Sequence, residues 1–277
     1  MARKVKRINE GETKIEGAGV EVTRLLGKPD ARDFDPFLML DVFDHDDPKK
    51  YSKGFLWHPH RGIETVTYLL EGEIEHRDSL GNTGVITDGD CQWMTAGSGI
   101  IHQEMPRVKP RLFGLQLWIN LPARDKMTPP KYRYIRNMEI PVIEEGDTKV
   151  HVIAGKYGAA QGPIKDMAVK PVFLDVSINP DGTFSDTTNS QDTLFLCLIR
   201  GSIVLEDEGK EVTSKKAVLF DTGDELNIKA GENGTQFLLI SGKQLKEPIA
   251  WSGSVVMNTQ EELQQAYDEI DKGSFIK

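Results

Sequence analysis

Turn-forming residues divide this chain of 277 residues into short segments, and this spacing is the feature that most limits its fold. Glycine next to aspartate or asparagine recurs along the chain, as in Gly81-Asn82 and Asp88-Gly89-Asp90. The segments between such turns are rich in valine, isoleucine, threonine, tyrosine and leucine, as in residues 63–70 and 112–119. Short strands at this spacing are typical of an antiparallel sandwich or barrel. We therefore expect an all-β fold rather than alternating strands and helices.

A polar, proline-rich stretch at about residues 122–141 interrupts this pattern and is the best candidate for a linker. The same strand pattern resumes after it. Two pairs of segments from the two halves align loosely: residues 69–74 with 198–203, and residues 88–90 with 222–224. We therefore predict an internal duplication, with one β-barrel in residues 1–139 and a second in residues 140–277.

One short helix is predicted near the C-terminus. Residues 259–262 read Thr-Gln-Glu-Glu, a capping box, and apolar residues follow at helical spacing as far as Ile270. Gly273 is a stop signal for this helix. We expect the helix to be amphipathic, to pack on a barrel and to carry no chemistry.

The formal net charge of −9 argues against direct binding to nucleic acid or to an anionic membrane surface. The basic cluster at residues 3–7 has no apolar stretch behind it, so it does not resemble a signal peptide. No apolar run approaches the ~18 residues that a membrane-spanning helix needs. Cys91 and Cys197 lie far apart in apolar surroundings, which favours two buried thiols over a disulfide. We predict a cytoplasmic protein.

Two short motifs carry the candidate chemistry: His58-Pro59-His60 and His102-Gln103-Glu104. Residues two apart on a β-strand point to the same face, so each motif directs two metal-ligand side chains to one place. If both strands line one cavity, three imidazoles and one carboxylate converge there. This ligand set suits iron, manganese, cobalt, nickel or copper, and an octahedral ion would keep up to two positions open for substrate and oxygen. Structural zinc held by thiolates is excluded because no Cys-x-x-Cys pattern is present.

Other candidate site residues also have an interpretation as ordinary structural or surface residues. Glu64 shares the face of the first histidine pair if Gly62 does not break the alternation, and would then be a hydrogen-bond partner of the ligands or a structural residue. We interpret His76 as a surface or strand-end residue and His45 as part of a solvated loop. His151 lies in the second half, which lacks a His-x-His motif and is predicted to be a metal-free scaffold or a surface for a partner.

Four large side chains close to the motifs are candidates for the lining of a substrate pocket, and core packing is an equally good interpretation of each: Phe55, Trp57, Trp93 and Met94.

Residues 58–72 and 89–106, together with 247–259, resemble the pirin family, whose members are bicupins. The resemblance implies two tandem cupin barrels of jelly-roll type and one divalent metal ion, most often iron(II), with manganese, cobalt, nickel, copper and zinc as alternatives. It also implies that the metal ligands are His58, His60, His102 and Glu104. The general cupin pattern would instead use a glutamate at the position of Glu64. Cys91 departs from the aliphatic residue common in related sequences and is predicted to be a core substitution.

The resemblance further implies quercetin 2,3-dioxygenase activity. A flavonol would bind the metal through its 3-oxygen, and Glu104 or water would take the proton. Oxygen would then add across the heterocyclic ring, and carbon monoxide would leave with a depside product. An alternative function is an iron-binding redox sensor that acts through a protein partner, either a transcription factor or a metabolic enzyme. A third is a metalloprotein whose flavonol turnover is incidental to another substrate.

Overall fold

The computed structural model describes residues 1–205 and 209–277 and confirms the all-β prediction. The strands of the first half are β1 (Val5–Glu10), β2 (Glu12–Glu16), β3 (Val20–Leu26), β4 (Phe37–His45), β5 (Phe55–His60), β6 (Ile63–Glu71), β7 (Ile74–Asp78), β8 (Thr83–Ile86), β9 (Cys91–Thr95), β10 (Ile100–Pro106), β11 (Leu112–Asn120) and β12 (Lys131–Ile135). Those of the second half are β13 (Val142–Glu145), β14 (Thr148–Ala154), β15 (Lys156–Tyr157), β16 (Ala160–Gln161), β17 (Val172–Ile178), β18 (Thr183–Thr187), β19 (Thr193–Leu205), β20 (Lys210–Thr213), β21 (Lys216–Phe220), β22 (Glu225–Gly242), β23 (Ala250–Ser252) and β24 (Val255–Met257). The described helices are α1 (Gln260–Asp271) and short 3-10 turns at Lys28–Asp30, Pro48–Lys50, Ala123–Asp125 and Asn137–Glu139.

The chain forms two compact units, and each chain end belongs to the unit built mainly from the other half of the sequence. The N-terminal unit comprises Glu12–Arg32, Phe37–Asn137 and Leu245–Lys277. The C-terminal unit comprises Met1–Gly11, Asp33–Pro36 and Met138–Gln244. The predicted boundary at residue 139 lies beside the start of the long segment of the C-terminal unit. The sequence did not predict the exchange of the two ends.

The N-terminal unit contains two large antiparallel sheets. The seven-stranded sheet has the order β12-β9-β6-β11-β4-β3-β2, and the four-stranded sheet has the order β5-β10-β7-β8. Strands β5 and β10 are neighbours, and their register places His58 directly opposite His102. Apolar side chains from both sheets form one buried cluster, which includes Val20, Phe43, Leu69 and Ile74.

The C-terminal unit repeats this strand order. Its large sheet runs β1-β21-β19-β22-β17-β14-β13, with β18 paired to β22 and β20 paired to β19. Residues 69–74 span the connection from β6 to β7, and residues 198–203 lie at the equivalent place inside β19. The first part of β19 pairs with β21 as β6 pairs with β9, and its second part pairs with β20 as β7 pairs with β8. The predicted duplication is therefore confirmed, as is the assignment to two cupin domains.

The second predicted pair of matching segments is wrong. Residues 88–90 lead into β9, which pairs with β6. Residues 222–224 lead into β22, whose first part pairs with β18 as β10 pairs with β5. The two turns are thus at different places in the repeated fold. Glycine–aspartate turns suit many strand connections, so they fix the register of a repeat poorly.

The predicted C-terminal helix is present as α1. The hydroxyl of Thr259 accepts a hydrogen bond from the backbone N–H of Glu262, and the carboxylate of Glu262 accepts one from the N–H of Thr259. Gly273 follows the helix in the left-handed region, with φ of 67°. Leu263 and Ala266 pack against β24 and Phe275, so the amphipathic interpretation is confirmed.

Two further predictions can be compared with the structure. Cys91 and Cys197 are both buried and free, which confirms the interpretation as apolar core residues. Burial raises the pKa of both thiols, that of Cys197 to about 12. None of the helices that the structure describes has the length and apolar character needed to cross a membrane.

Candidate metal centre

Three histidines meet where β5 and β10 lie side by side. Alternation along β5 directs His58 and His60 to the same side, and the pairing with β10 brings His102 opposite His58. The Nε2 atom of His58 lies 3.0 Å from Nε2 of His60 and 3.0 Å from Nε2 of His102. The structure thus brings together the three imidazoles that the two motifs contribute.

Glu104 lies on the same face of β10 as His102 and is held by three uncharged donors. Its Oε1 atom accepts hydrogen bonds from the hydroxyl of Thr67 at 3.1 Å and from Nε2 of Gln92 at 2.9 Å. Its Oε2 atom accepts one from Nε2 of Gln116 at 2.7 Å. Ligand atoms of Glu104, His102 and His76 lie within 4.8 Å of one another, as do those of His58, His60 and His102, so His102 belongs to both groups.

The donors to Glu104 belong to a row of polar side chains that crosses the seven-stranded sheet. This polar row consists of Asp41, Gln116, Thr67 and Gln92, which lie directly opposite one another on β4, β11, β6 and β9. The indole Nε1 of Trp118 donates to Oε1 of Gln116 at 3.0 Å, which turns the amide so that its NH₂ faces Glu104. Sequence reasoning missed this row because its members come from four separate strands.

Arg24 extends the polar row at its β3 end. Its Nε and one terminal nitrogen donate to the two carboxylate oxygens of Asp41 at 2.8 and 2.6 Å. Burial raises the pKa of Asp41, and the paired guanidinium opposes this effect. A bidentate pair of this kind fixes both side chains in the wall of the cavity.

His76 is a buried neighbour of the site, so its interpretation as a surface or strand-end residue is wrong. It is fully buried, and its ring stacks on Tyr132 with the centroids 4.4 Å apart. Its Nδ1 atom lies 3.5 Å from Nδ1 of His102, and its Nε2 lies 3.2 Å from a carboxylate oxygen of Asp78. The sequence contains one signal for this role. His76 and Asp78 are a third pair of candidate ligands two residues apart, and they lie on β7, the strand that pairs with β10.

The two remaining histidines lie away from this cluster. His45 is the last residue of β4 rather than part of a loop, and its Nε2 atom lies 2.7 Å from the carbonyl oxygen of Glu21. The loop interpretation of His45 is therefore wrong. His151 lies on β14 of the C-terminal unit, opposite Asp175.

Gly62 breaks the alternation and removes Glu64 from the site. Its φ of 76° is in the left-handed region, and a Cβ there would lie 1.9 Å from the carbonyl oxygen of Val256. As a result Thr67 faces the cavity and Glu64 faces the opposite side of β6, where its Oε1 accepts from the Thr95 hydroxyl at 2.6 Å. Glu64 is therefore not a partner of the histidines, and its structural alternative holds. Burial raises its pKa.

A cavity of about 570 Å³ opens beside His58, His60 and Glu104. Of the four predicted lining residues, Phe55 and Trp57 border it. Met94 packs in a buried cluster with Met39 and Trp118, and Trp93 is buried on the Glu64 side of the sheet. For Met94 and Trp93 the core interpretation is therefore the one that holds. The C-terminal segment also contributes to the wall of the cavity, through Trp251, Gly253 and Ser254.

Burial keeps two of the clustered imidazoles neutral. Loss of hydration lowers the pKa of His60 and that of His102 well below the usual value, and the neighbouring imidazoles act in the same direction. A neutral imidazole has a lone pair on one ring nitrogen, which is the form that binds a metal ion.

The donor set fits a divalent transition metal. Two nitrogens bound about 2.1 Å from one ion at right angles would be roughly 3.0 Å apart, which matches the two Nε2 separations around His58. Three neutral imidazoles and a carboxylate are ligands that such ions accept. The described residues of this cluster can therefore hold one ion.

Comparison with known proteins gives matches over nearly the entire chain. The family model described as Pirin matches residues 19–119, and the model described as Pirin C-terminal cupin domain matches residues 173–276. A pirin-like protein of Caulobacter vibrioides is 42% identical over 99% of this chain and 99% of its own length. A Pseudomonas aeruginosa protein named "Putative quercetin 2,3-dioxygenase" is 41% identical over 98% of this chain and 97% of its own. The crystal structure of a quercetin 2,3-dioxygenase from Acinetobacter baumannii superimposes with a TM-score of 0.91 and 32% identity, covering 99% of both chains.

Proposed function

This chain belongs to the pirin family of bicupin proteins, and on that premise we propose that it is a metal-dependent dioxygenase that opens the heterocyclic ring of quercetin-like flavonols. The observation that carries the proposal is the convergence of His58, His60 and His102 at the edge of a cavity of about 570 Å³. Cavities of this size hold molecules as large as drugs. The relatives named as quercetin dioxygenases add support at the level of the family.

His58, His60, His102 and Glu104 would hold the ion. We propose iron(II), the ion that the family resemblance implies. When bound, it would supply Lewis acidity and a path for electrons between the flavonol and oxygen. Imidazole ligands bind a metal in their uncharged form, so with one carboxylate a divalent ion would keep a net positive charge that favours an anionic ligand. We place the protein in the cytoplasm, where its two buried free thiols fit a reducing environment.

Glu104 is the residue that can take the proton of the flavonol 3-hydroxyl. Its Oε1 atom already accepts two hydrogen bonds, whereas Oε2 accepts one from Gln116. A further lone pair of Oε2 is therefore the site for the metal or for the proton. The polar row keeps this carboxylate in place while the proton moves.

The cavity wall would position a flat aromatic substrate and exclude water. Phe55, Trp57 and Trp118 border the cavity together with aliphatic side chains. Aromatic walls suit stacked or edge-on contact with the rings of a flavonol. Trp57 is about half exposed, which places it at the cavity mouth, where a ligand would enter.

The test is direct turnover. The protein is loaded with iron(II), cobalt(II) or nickel(II) and mixed with quercetin under oxygen. Loss of the flavonol absorption band and trapped carbon monoxide are the expected results, and both should be absent for Glu104→Gln and His102→Ala. A folded, metal-loaded protein that leaves every tested flavonol intact would refute the dioxygenase function and favour the redox-sensing regulator.

A further inference from the structure

Behind His102 lies a buried pair of residues for which the catalytic proposal has no role. We propose that His76 and Asp78 are positioning residues that fix the tautomer of His102, so that its Nε2 lone pair stays available to a metal ion. The inference rests on the proposed role of His102 as a metal ligand.

Asp78 is a carboxylate whose two oxygens both have defined donors. Its Oδ1 atom accepts the backbone N–H of Leu80 at 2.9 Å and that of Asn82 at 3.0 Å. Its Oδ2 atom accepts the side-chain amide of Asn82 at 2.9 Å and faces Nε2 of His76 at 3.2 Å. An ionised carboxylate has no hydrogen to donate, so the hydrogen between these two groups belongs to Nε2 of His76.

The position of this hydrogen on His76 determines which ring nitrogen of His102 has a hydrogen. A neutral imidazole with a hydrogen on Nε2 has a lone pair on Nδ1. The Nδ1 atom of His76 faces Nδ1 of His102 at 3.5 Å, so the hydrogen between the rings belongs to His102. A neutral imidazole with its hydrogen on Nδ1 has a lone pair on Nε2, and this is the atom of His102 that faces His58. Stacking on Tyr132 fixes the plane of the His76 ring.

His58 reaches the same state by a different route. Its Nδ1 atom donates to the carbonyl oxygen of Leu56 at 2.7 Å, which leaves a lone pair on Nε2 when the ring is neutral. The Nε2 atoms of His58 and His102 are 3.0 Å apart. Two lone pairs at this distance repel each other unless a cation lies next to both. The two hydrogen-bond routes thus prepare the same pair of atoms for one positive ion.

Replacement of Asp78 by asparagine would move the hydrogen of His76, and that of His102, to the other ring nitrogen. The asparagine oxygen would stay at the position of Oδ1, because two backbone N–H groups require an acceptor there. Its NH₂ group would then face Nε2 of His76 and make that atom an acceptor. The hydrogen of His76 would move to Nδ1, the hydrogen of His102 would move to Nε2, and the lone pair that binds metal would be lost.

The experiment measures cobalt(II) affinity by competition with a chelator, together with the visible absorption of the bound cobalt. Asp78→Asn should bind roughly 10–100-fold more weakly than the unchanged protein, as losses of such supporting contacts do. Asn82→Ala is the matched control, because it removes a hydrogen bond of Asp78 without changing what faces His76, and it should bind as the unchanged protein does. Thermal unfolding of each variant verifies that it is folded.

The double variant Asp78→Asn with His76→Phe separates tautomer control from a structural role. Phenylalanine can keep the stacking on Tyr132 but places no donor or acceptor next to His102, which is then free to put its hydrogen on Nδ1. Cobalt affinity should recover most of the loss caused by Asp78→Asn alone. A merely structural role predicts that the second substitution weakens binding further.

Each outcome identifies which idea fails. If His102→Ala abolishes cobalt binding but folded Asp78→Asn binds as tightly as the unchanged protein, the tautomer proposal is wrong and the metal site stands. If the double variant binds no better than Asp78→Asn, the proposal is also wrong. If His102→Ala binds cobalt normally, the site and the tautomer proposal fall together. Absence of flavonol turnover alone would leave the proposal intact.

Discussion

The N-terminal and C-terminal units share one strand order but fill its inner face with opposite chemistry. The aligned segments place Thr67 of β6 at the position of Leu196 of β19. The polar row Asp41, Gln116, Thr67 and Gln92 therefore corresponds to Leu174, Leu239, Leu196 and Val218, which lie opposite one another on β17, β22, β19 and β21. The fold tolerates either row, because alternation along a strand fixes only which side chains face inward.

The contrast continues at the metal centre. The pairing with β7 and with the second part of β19 matches His102 to Leu226 and Glu104 to Ile228, which lies opposite Phe184 of β18. Phe184, Ile228 and the four residues of the apolar row belong to the buried apolar cluster of the C-terminal unit. Buried polar groups cost free energy unless they are hydrogen-bonded, and the polar row meets this condition through Glu104 and, for Asp41, through Arg24. One copy of the fold therefore has a polar interior beside the candidate metal centre, and the other has an apolar interior suited to stability.

The largest expected effect is on metal binding, and it should be confined to one unit. His102→Ala removes a ligand from the proposed site, and we expect the bound metal to fall from one ion per chain to almost none. Leu226→Ala at the matching position should lower stability, by roughly 2–5 kcal/mol for a large-to-small core substitution, and should leave the metal content unchanged. Metal analysis of the dialysed proteins checks both. Equal metal loss in the two variants would break the comparison.

A smaller effect is expected when polarity is moved into the C-terminal unit. Leu239→Gln places an amide among apolar side chains at the position that Gln116 has in the other unit. We expect unfolding free energy to fall by about 2–4 kcal/mol from the lost apolar burial and the unsatisfied amide. Urea unfolding followed by far-UV circular dichroism measures this loss, and cobalt affinity should not change. Unaltered stability would show that the C-terminal unit does not need apolar side chains at Leu174, Leu239, Leu196 and Val218 to be stable.

The reverse change should weaken the metal site without harming the fold. Gln116→Leu removes the donor to Oε2 of Glu104 and gives the N-terminal unit the residue found in the C-terminal one. We expect metal affinity to fall roughly 10–100-fold, as for other residues that orient a ligand. The variant should stay folded, with stability lowered by about 1–3 kcal/mol because Oε2 of Glu104 and Nε1 of Trp118 lose their partner. Cobalt titration measures the affinity, and full affinity in this variant would mean that the polar row does not support Glu104.

The smallest effect concerns pH and the metal-free protein. Burial lowers the pKa of His60 and of His102 in the folded state, while the unfolded chain binds protons near pH 6.5. The unfolded state then binds more protons as pH falls below 6.5, so the unfolding free energy should decrease in that range. Urea midpoints at pH 7.5 and 5.5 measure the decrease, and His102→Ala should show a shallower one. An equally steep decrease in that variant would exclude His102 as a source.

Much of the fold was predictable because it depends on local patterns. Turn residues and strand composition predicted the all-β class, and the capping box predicted α1. The three histidines could be paired because two-residue spacing on a strand determines a common face. The exchange of the chain ends was not predictable, since no local pattern links residues 1–11 to strands more than 100 residues away.

Two physical causes limit what the sequence predicts about the site: a local change of backbone conformation and the pairing between strands. Glu64 shares the face of the histidines only if the alternation continues through Gly62, and the left-handed backbone of Gly62 reverses it. His76 and Gln116 were missed because their importance arises from pairing between strands, which a single sequence does not show. Phe55 and Trp57 border the cavity, whereas for Trp93 pocket lining and core packing can be distinguished only from the register of β9.

X-ray absorption spectroscopy of the cobalt-loaded protein tests the central claim most directly. The account predicts one cobalt site whose ligands are nitrogen and oxygen only, with the scattering pattern of three imidazole rings. That pattern should fall to two rings in any residual cobalt of His60→Ala. A spectrum with a single imidazole, or one with sulfur ligands, would show that the metal is not held by His58, His60 and His102.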